Sequence, residues 1–424
     1  MGGIGAIAEP FVVIALLLSG TWINRDFEPG RIKWSRDNRK VPKEPRKVER
    51  SGDLNDHEDV ESRVTSPSML ITREPEWRRR SLKIWGIRKE VTTPNTRRFK
   101  GYFLSRLLQR FPFLVECWYW ALIYWIYQLG RAITAVWIVE GATHTAQEHA
   151  LQVIAAEERI HMFYELPIQH FFIKNQFIMT WLNRTYSFIH IPGSIAFLIW
   201  LFYYTSTRSC KEMEKSVVTP SLYESRRRAM ALSNLLAFLV FTTWPCMPPR
   251  LLSADTSQGK IGELARSYGF VDTVHTGDAA SVWTDNRFTN KLAAMPSLHF
   301  GYAFLIGLTL ATIPLDPFQS SSSKRCPPHS NTPQQPNSLK TSSLSRKRMF
   351  SIILGILYPS LILTAIIATA NHFILDAVIG AIVCGAAWWA NDLLLNLLVI
   401  EDWFLWLVRI HKPERTVLEI ADLN

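Results

Sequence analysis

The sequence predicts an all-α, polytopic membrane protein with a six-transmembrane-helix core and an N-terminal hydrophobic anchor. Three observations predict it. The 424 residues are 48% hydrophobic, with 16 Trp, yet 20% are charged. A mean hydropathy of +0.03 at that charge content requires apolar and charged residues to be segregated along the chain. Apolar runs near the length that crosses hydrocarbon, about 17–25 residues, recur through it, separated by loops of contrasting charge.

Taken in order, 10–23 (PFVVIALLLSGTWI) lacks a basic leading end and a small-x-small cleavage pattern. It reads as an anchor, making 1–23 one unit, rather than as a cleaved signal. Residues 24–110 are basic, polar and interrupted by prolines; too little of this segment is apolar to repay ordering entropy, so it is expected to be largely disordered. The first span is 111–138, aromatic-rich, with Arg131 near its far end. After it, 139–182 carries charges and four histidines, the composition of an amphipathic segment lying in the interface. Spans are then expected at 189–204, 229–245, 298–315, 349–369 and 373–391, so that 111–391 forms one six-helix domain. The Ser/Pro-rich loop 316–348 cannot bury a core and is expected to be disordered. In the tail, 392–424, the apolar run 392–408 has Glu401 and Asp402 at its middle and reads as an interfacial amphipathic helix, not a span.

Charge sets the orientation, because Lys and Arg remain on the cytosolic side. The loop 205–228 holds Arg208, Lys211, Lys215, Arg226, Arg227 and Arg228, and 316–348 is similarly basic. Both are expected in the cytosol, with 24–110 and the tail. The connection 246–297 balances acids against bases and belongs on the opposite, lumenal or exoplasmic face. The net charge of +11 follows this topology. The basic residues flank spans and accompany no nucleic-acid-binding motif, which excludes nucleic acid as the expected partner. Five cysteines at 117, 210, 246, 326 and 384 show neither a disulfide framework nor metal-type spacing.

Two apolar spans begin with chemistry. In NKLAAMPSLHFGYAF (290–304) Ser297 and His299 stand at the mouth of a span; in ATANHFILDAVIG (368–380) His372 and Asp376 are four apart. That spacing puts both on one helix face, where a carboxylate fixes a ring's tautomer and raises its basicity. With alternating spans, both histidines emerge at the same membrane face. A single histidine there is usually a satisfied cap; a same-side set of two with a carboxylate marks a functional site. Arg250, after Pro248 and Pro249 at the end of 229–245, adds a planar fork suited to phosphate oxygens.

Arg250, PSLHFG (296–301) and NHFILDAVIG (371–380) together resemble the three-part signature of the type 2 phosphatidic acid phosphatase superfamily, membrane enzymes with a six-helix core. YGFVDTVHTG (268–277), AAMPSLHFGYAF (293–304), ERIHMFYELPIQ (158–169) and NRTYSFIHIPG (183–193) resemble its inositol phosphorylceramide synthase branch, the aureobasidin-resistance type. Two departures stand out: Thr243 occupies the place of a lysine usual seven residues before the arginine, and Ala365-Ile366 that of a Ser-Arg pair. Fewer cations suit a phosphodiester better than a naked monoester.

The resemblance implies, as the chemistry does, that His372 attacks phosphorus after orientation by Asp376. His299 then protonates the leaving oxygen and later deprotonates the acceptor. Arg250, Ser297 and Asn371 are the substrate-binding candidates, Ser297 equally so as a helix N-cap. No metal and no cofactor is expected. Partners are membrane lipids: a phosphoinositide or other lipid phosphate as donor, ceramide or water as acceptor, at the lumenal face of the Golgi or another endomembrane. A lipid phosphate phosphatase is the alternative within the superfamily. A transporter, expected to hold its ionisable residues at midplane, and an inactive scaffold, expected to have lost His372 or Asp376, rank below. Glu165, Gln169 and His190 are weaker candidates for the acceptor headgroup. Asn183-Arg184-Thr185 is a sequon close to apolar sequence.

Overall fold

The computed structural model describes residues 2–26, 76–84, 86–137, 142–207, 220–253, 260–273, 292–315 and 346–413. The expected disorder of 27–75 and 316–345 lies outside the described residues, as do Cys210 and Cys326.

The chain is mostly helical. Helix α1 spans Gly2–Ile23. After a hairpin, α2 (Phe103–Arg110) leads into the 25-residue α3 (Phe113–Trp137). Helices α4 (Ala142–Arg159), α5 (Glu165–Ile173) and α6 (Gln176–Arg184) follow. Helix α6 continues through a π-turn, Thr185–Ile189, into α7 (His190–Phe202) and a second π-turn, Tyr203–Thr207. Then come α8 (Pro220–Thr243), α9 (Lys260–Ser267), α10 (Leu298–Thr312), α11 (Arg346–Ala368) and α12 (Ile374–Ala390). A 3-10 segment, Asn391–Leu397, joins α12 to α13 (Leu398–Leu407). Among the described residues, two helical runs are long and apolar enough to cross a membrane: Arg346–Ala368 and Ile374–Leu407. The run 392–408, expected as an interfacial amphipathic helix, follows α12 through the 3-10 segment and forms α13.

Helices α10, α11 and α12 pack at backbone distance because small residues face each other. A Cβ added to Gly307 would lie 2.3 Å from the Gly355 carbonyl oxygen, and one on Gly380 would lie 2.3 Å from that of Ser297. Helix α8 lies against α12 and brings its own basic start with it. Arg226, Arg227 and Arg228, expected in a loop, are helical. They are consumed by contacts: Arg227 Nη1 donates to Glu116 at 2.6 Å, Arg228 to the Asn391 amide oxygen, and Arg226 lies 3.2 Å over the Trp388 ring.

The segment 24–110, expected to be largely disordered, carries structure in its last third. Strands β1 (Trp77–Ile84) and β2 (Ile87–Pro94) pair antiparallel, and Gly86 ahead of β2 has φ +87°, the left-handed backbone that tight hairpin turns need. Arg80 binds Asp402 through two hydrogen bonds of 2.8 and 3.0 Å, Thr93 donates to the same carboxylate, and Asn396 bonds both the N–H and the carbonyl of Lys83. Asp402 in the apolar tail is therefore a socket for the hairpin. Glu401 takes hydrogen bonds from Tyr119 and Lys412.

Hairpin and 3-10 segment mark one end of the bundle. At the other, α4, α9 and the loops after α8 and before α10 close over a buried apolar cluster that includes Ile154, Met247, Leu252, Phe270, Ala294 and Phe373. The N-termini of α10 and α12 enter this cap.

Candidate active site

Backbone pairing draws the three motifs together. Cys246 N–H donates to the Leu292 carbonyl at 2.9 Å and Ala294 N–H to the Cys246 carbonyl at 3.0 Å, joining the segment before Arg250 to the one before Ser297. Arg250 N–H donates to the Ala370 carbonyl at 2.9 Å, and Ser297 N–H to that of Asp376 at 2.9 Å. The turn between α11 and α12 is compressed at Ala370, which holds φ +51°, a costly conformation for a residue with a Cβ.

On this frame His299 and His372 face each other with ring centroids 5.6 Å apart. The Nδ1 of His372 lies 2.8 Å from the Ala294 carbonyl oxygen and 3.5 Å from Asp376 Oδ2. A carbonyl only accepts, so Nδ1 carries the proton and Nε2 is the nitrogen with a lone pair to offer. Asp376 backs the ring, as the i,i+4 spacing requires, but its shorter bond is from Phe373 N–H at 2.9 Å, at the start of its own helix.

Arg250 is aimed by its neighbours. Its Nε donates to Asn371 Oδ1 at 2.8 Å and its Nη1 to Asp272 Oδ2 at 3.1 Å. Asn371, whose amide also donates to Thr369 at 2.7 Å, thus ties the guanidinium to the residue beside His372. Ser297 Oγ accepts from Phe300 N–H at 3.3 Å, the N-cap arrangement. All six site residues expected from sequence therefore meet within one network: Arg250, Ser297, His299, Asn371, His372 and Asp376.

Three acids meet the first turn of α12. Helices begin with N–H groups that have no partner inside the helix. Here consecutive ones are taken by carboxylates: Phe373 by Asp376, Ile374 by Glu165 Oε1 and Leu375 by Glu157 Oε1, the last two at 2.7 Å. Glu157 and Glu165 lie outside the expected spans and are fully buried. Burial first, and then the neighbouring acids, push Glu157 above the ordinary carboxylate range, and burial also raises Glu165. The second oxygen of each has no other hydrogen-bond partner among the described residues. Two adjoining buried carboxyls sharing one proton account for both facts.

Glu165 is thus a helix cap, not a headgroup contact. Gln169 is turned away from the histidines, its amide bonding both the carbonyl and the N–H of Val271. His190 does reach the site: its ring is 5.3 Å from that of His299, and its Nδ1 is 3.0 Å from the Tyr358 hydroxyl. Tyr186, at 4.5 Å from His299, was not expected. The π-turn at 185–189 changes the angular register of the helix, a distortion common at functional sites, and no sequence periodicity announces it. Asn183 is buried and donates to the Thr273 carbonyl at 2.9 Å, so the sequon serves packing. Among the described residues, no three metal-ligating side chains are placed to hold an ion.

A family model described as the PAP2 superfamily matches residues 151–318 and 339–390, from α4 to the end of α12. The chain belongs to the PAP2 superfamily. The match covers Arg250 and both histidine motifs together with the capping acids. PAP2 membership brings phosphoester chemistry, hydrolysis or transfer, on lipid phosphates, and agrees with the two membrane-length helical runs. No curated protein and no solved structure matches the chain.

Proposed function

We propose that the protein is an integral membrane phosphotransferase working through a phosphohistidine, an inositolphosphotransferase of sphingolipid metabolism. The observation that carries the reading is the convergence of Arg250, His299 and His372 from three separate chain segments onto one face of the helical bundle.

In the first half-reaction His372 Nε2 attacks phosphorus and the bond to the leaving alkoxide breaks, while His299 gives that oxygen a proton. In the second, His299 takes the proton of the acceptor hydroxyl, whose oxygen attacks phosphorus and expels His372. Arg250 holds the equatorial oxygens as charge moves between entering and leaving groups. The Ala294 carbonyl and Asp376 keep the His372 proton on Nδ1, so the same nitrogen is nucleophile and leaving group.

In this reading α3, α7, α8, α10, α11 and α12, which overlap the six expected segments, serve as the spans. The site end carries mixed charge, whereas Arg226–Arg228, Arg346–Arg348 and the basic hairpin gather at the opposite end. By charge retention the latter is cytosolic, which puts the chemistry on the lumenal face of an endomembrane such as the Golgi. There a diacylglycerol leaving group and a ceramide acceptor keep their tails in hydrocarbon.

The test is incubation of purified protein with labelled phosphatidylinositol and ceramide, with water as the competing acceptor. Inositol phosphorylceramide is the expected product. Free phosphate from phosphatidate, with no transfer to ceramide, would replace this reading with that of a lipid phosphate phosphatase.

A further inference from the structure

Asp272 is built into the site with unusual care. Its carboxylate lies 3.1 Å from Arg250 Nη1. Its neighbours are tied down on both sides: Val271 by both groups of the Gln169 amide at 2.7 and 3.2 Å, Thr273 by Asn183 at 2.9 Å, and Phe270 by the Ser253 hydroxyl. Gln169 and Asn183 are themselves buried. A surface acid pairing with an arginine swings free at little cost; with residues 270, 271 and 273 all fixed, Asp272 does not.

We infer that Asp272 is a specificity-determining residue, placed to make the Arg250 site prefer a phosphodiester to a phosphomonoester. The inference rests on the proposed function, in which Arg250 holds the transferred phosphate. A guanidinium offers a planar fork of donors, and here Nε is committed to Asn371 and Nη1 to Asp272. The carboxylate offsets the positive charge that the phosphate meets. A diester brings one negative charge to such a site, whereas a monoester brings up to two above its second ionisation, at about 6. The second charge is repelled by Asp272 and gains little from a cation already paired. The other groups around the phosphate position do not reverse this: Tyr186 on the π-turn, His299 on α10, His372 before α12, and the acids Asp376, Glu157 and Glu165 at its first turn.

A carboxylate that only orients Arg250 affects both ester classes alike, which makes the two roles separable. Phosphatidate and phosphatidylinositol share diacylglycerol as leaving group, one from a monoester and the other from a diester. Diacylglycerol release from each is measured with the purified full-length protein in mixed micelles that also contain ceramide as acceptor, between pH 5 and 8. For wild type, the monoester-to-diester ratio of kcat/KM should rise as pH falls through about 6, where phosphatidate becomes a monoanion. The proton-transfer roles of the histidines, acting on a common leaving group, cancel in that ratio. In Asp272→Asn, which keeps an oxygen acceptor for Arg250, the ratio at pH 7.5 should increase about tenfold or more, the scale of one unit charge removed a few ångströms away at an effective dielectric near 20. Its pH dependence should flatten.

A wild-type ratio that is level or falls on acidification overturns the inference without any variant. So does an Asp272→Asn protein that changes both substrates by one factor; in either case phosphoryl transfer at the site still stands. Wild type that releases diacylglycerol from neither lipid would remove the functional reading itself, and the inference with it.

Discussion

At the scale of single residues, the proposed function gives His372 and His299 different duties, and the duties predict different losses. His372→Ala should abolish turnover of every substrate, since no leaving group replaces a nucleophile. Asp376→Asn should slow the enzyme but leave measurable activity, because the Ala294 carbonyl at 2.8 Å still holds the ring in the required tautomer. His299→Ala should behave selectively. General-acid assistance supplies roughly 10²–10⁴-fold, and an alkoxide needs it more than a nitrophenolate does. Activity of His299→Ala on a lipid phosphodiester should therefore fall far more than on an aryl phosphate ester, measured where formation of the phosphohistidine limits the rate. Equal losses on both substrates would reduce His299 to a structural residue.

At the scale of an element, the first turn of α12 is the part most exposed to test. Three buried acids satisfy three consecutive N–H groups, and two of them share a site that favours protonation. A carboxyl whose folded pKa is raised contributes its stability in full below its unfolded value, about 4.3 for Glu, and loses it as pH rises toward the folded value. Thermal stability in detergent should accordingly decline from pH 5 to pH 9. Glu157→Gln, which keeps the acceptor for Leu375 N–H without the charge, should show a flatter decline than wild type. Glu157→Ala strands a buried donor, at a cost of about 1–3 kcal/mol, and should be less stable than Glu157→Gln at every pH. If the Gln variant reproduces the wild-type slope, the proton is not shared there. One turn beyond Asp376, Gly380 makes a second demand. A methyl at position 380 would fall 2.3 Å from the Ser297 carbonyl, which is backbone and cannot turn aside. Gly380→Ala should lower kcat by separating the two histidines while the protein still inserts, a result readable by comparing membrane yield with turnover.

For the whole molecule, α12 is the axis along which chemistry and anchorage are separated. Its N-terminus holds the catalytic candidates, while its C-terminus runs into the segment gripped by the basic hairpin. At about 1.5 Å rise per residue, its 17 residues hold the two some 25 Å apart. Cysteines placed at exposed Ser267 on α9 and at exposed Ser81 on β1, with Cys210 and Cys326 changed to serine, should react with an impermeant reagent from opposite sides of a sealed vesicle. Ser267→Cys should be labelled from the lumenal side and Ser81→Cys from the cytosolic side. Labelling of both from one side would place hairpin and site on the same face and undo the proposed topology.

What the sequence determined by itself is local. The lengths of the apolar runs, the clustering of Lys and Arg between them, the i,i+4 step from His372 to Asp376 and the proline stop before Arg250 are properties of neighbouring residues, and each was legible. Tertiary structure decided what distant residues do to one another. Glu165 and Glu157 reach Ile374 and Leu375 across sequence separations of 209 and 218; read locally, they are two more acids on an amphipathic segment. Asp402 looked like the polar face of a tail helix until Arg80, 322 residues earlier, filled it, and the strands Asp402 anchors were hidden for the same reason: their stability comes from the tail and not from apolar alternation. Asp272 carries no signal of its own, because a carboxylate acquires meaning from the guanidinium it faces. Buried polar groups must find partners, and only the folded chain settles which.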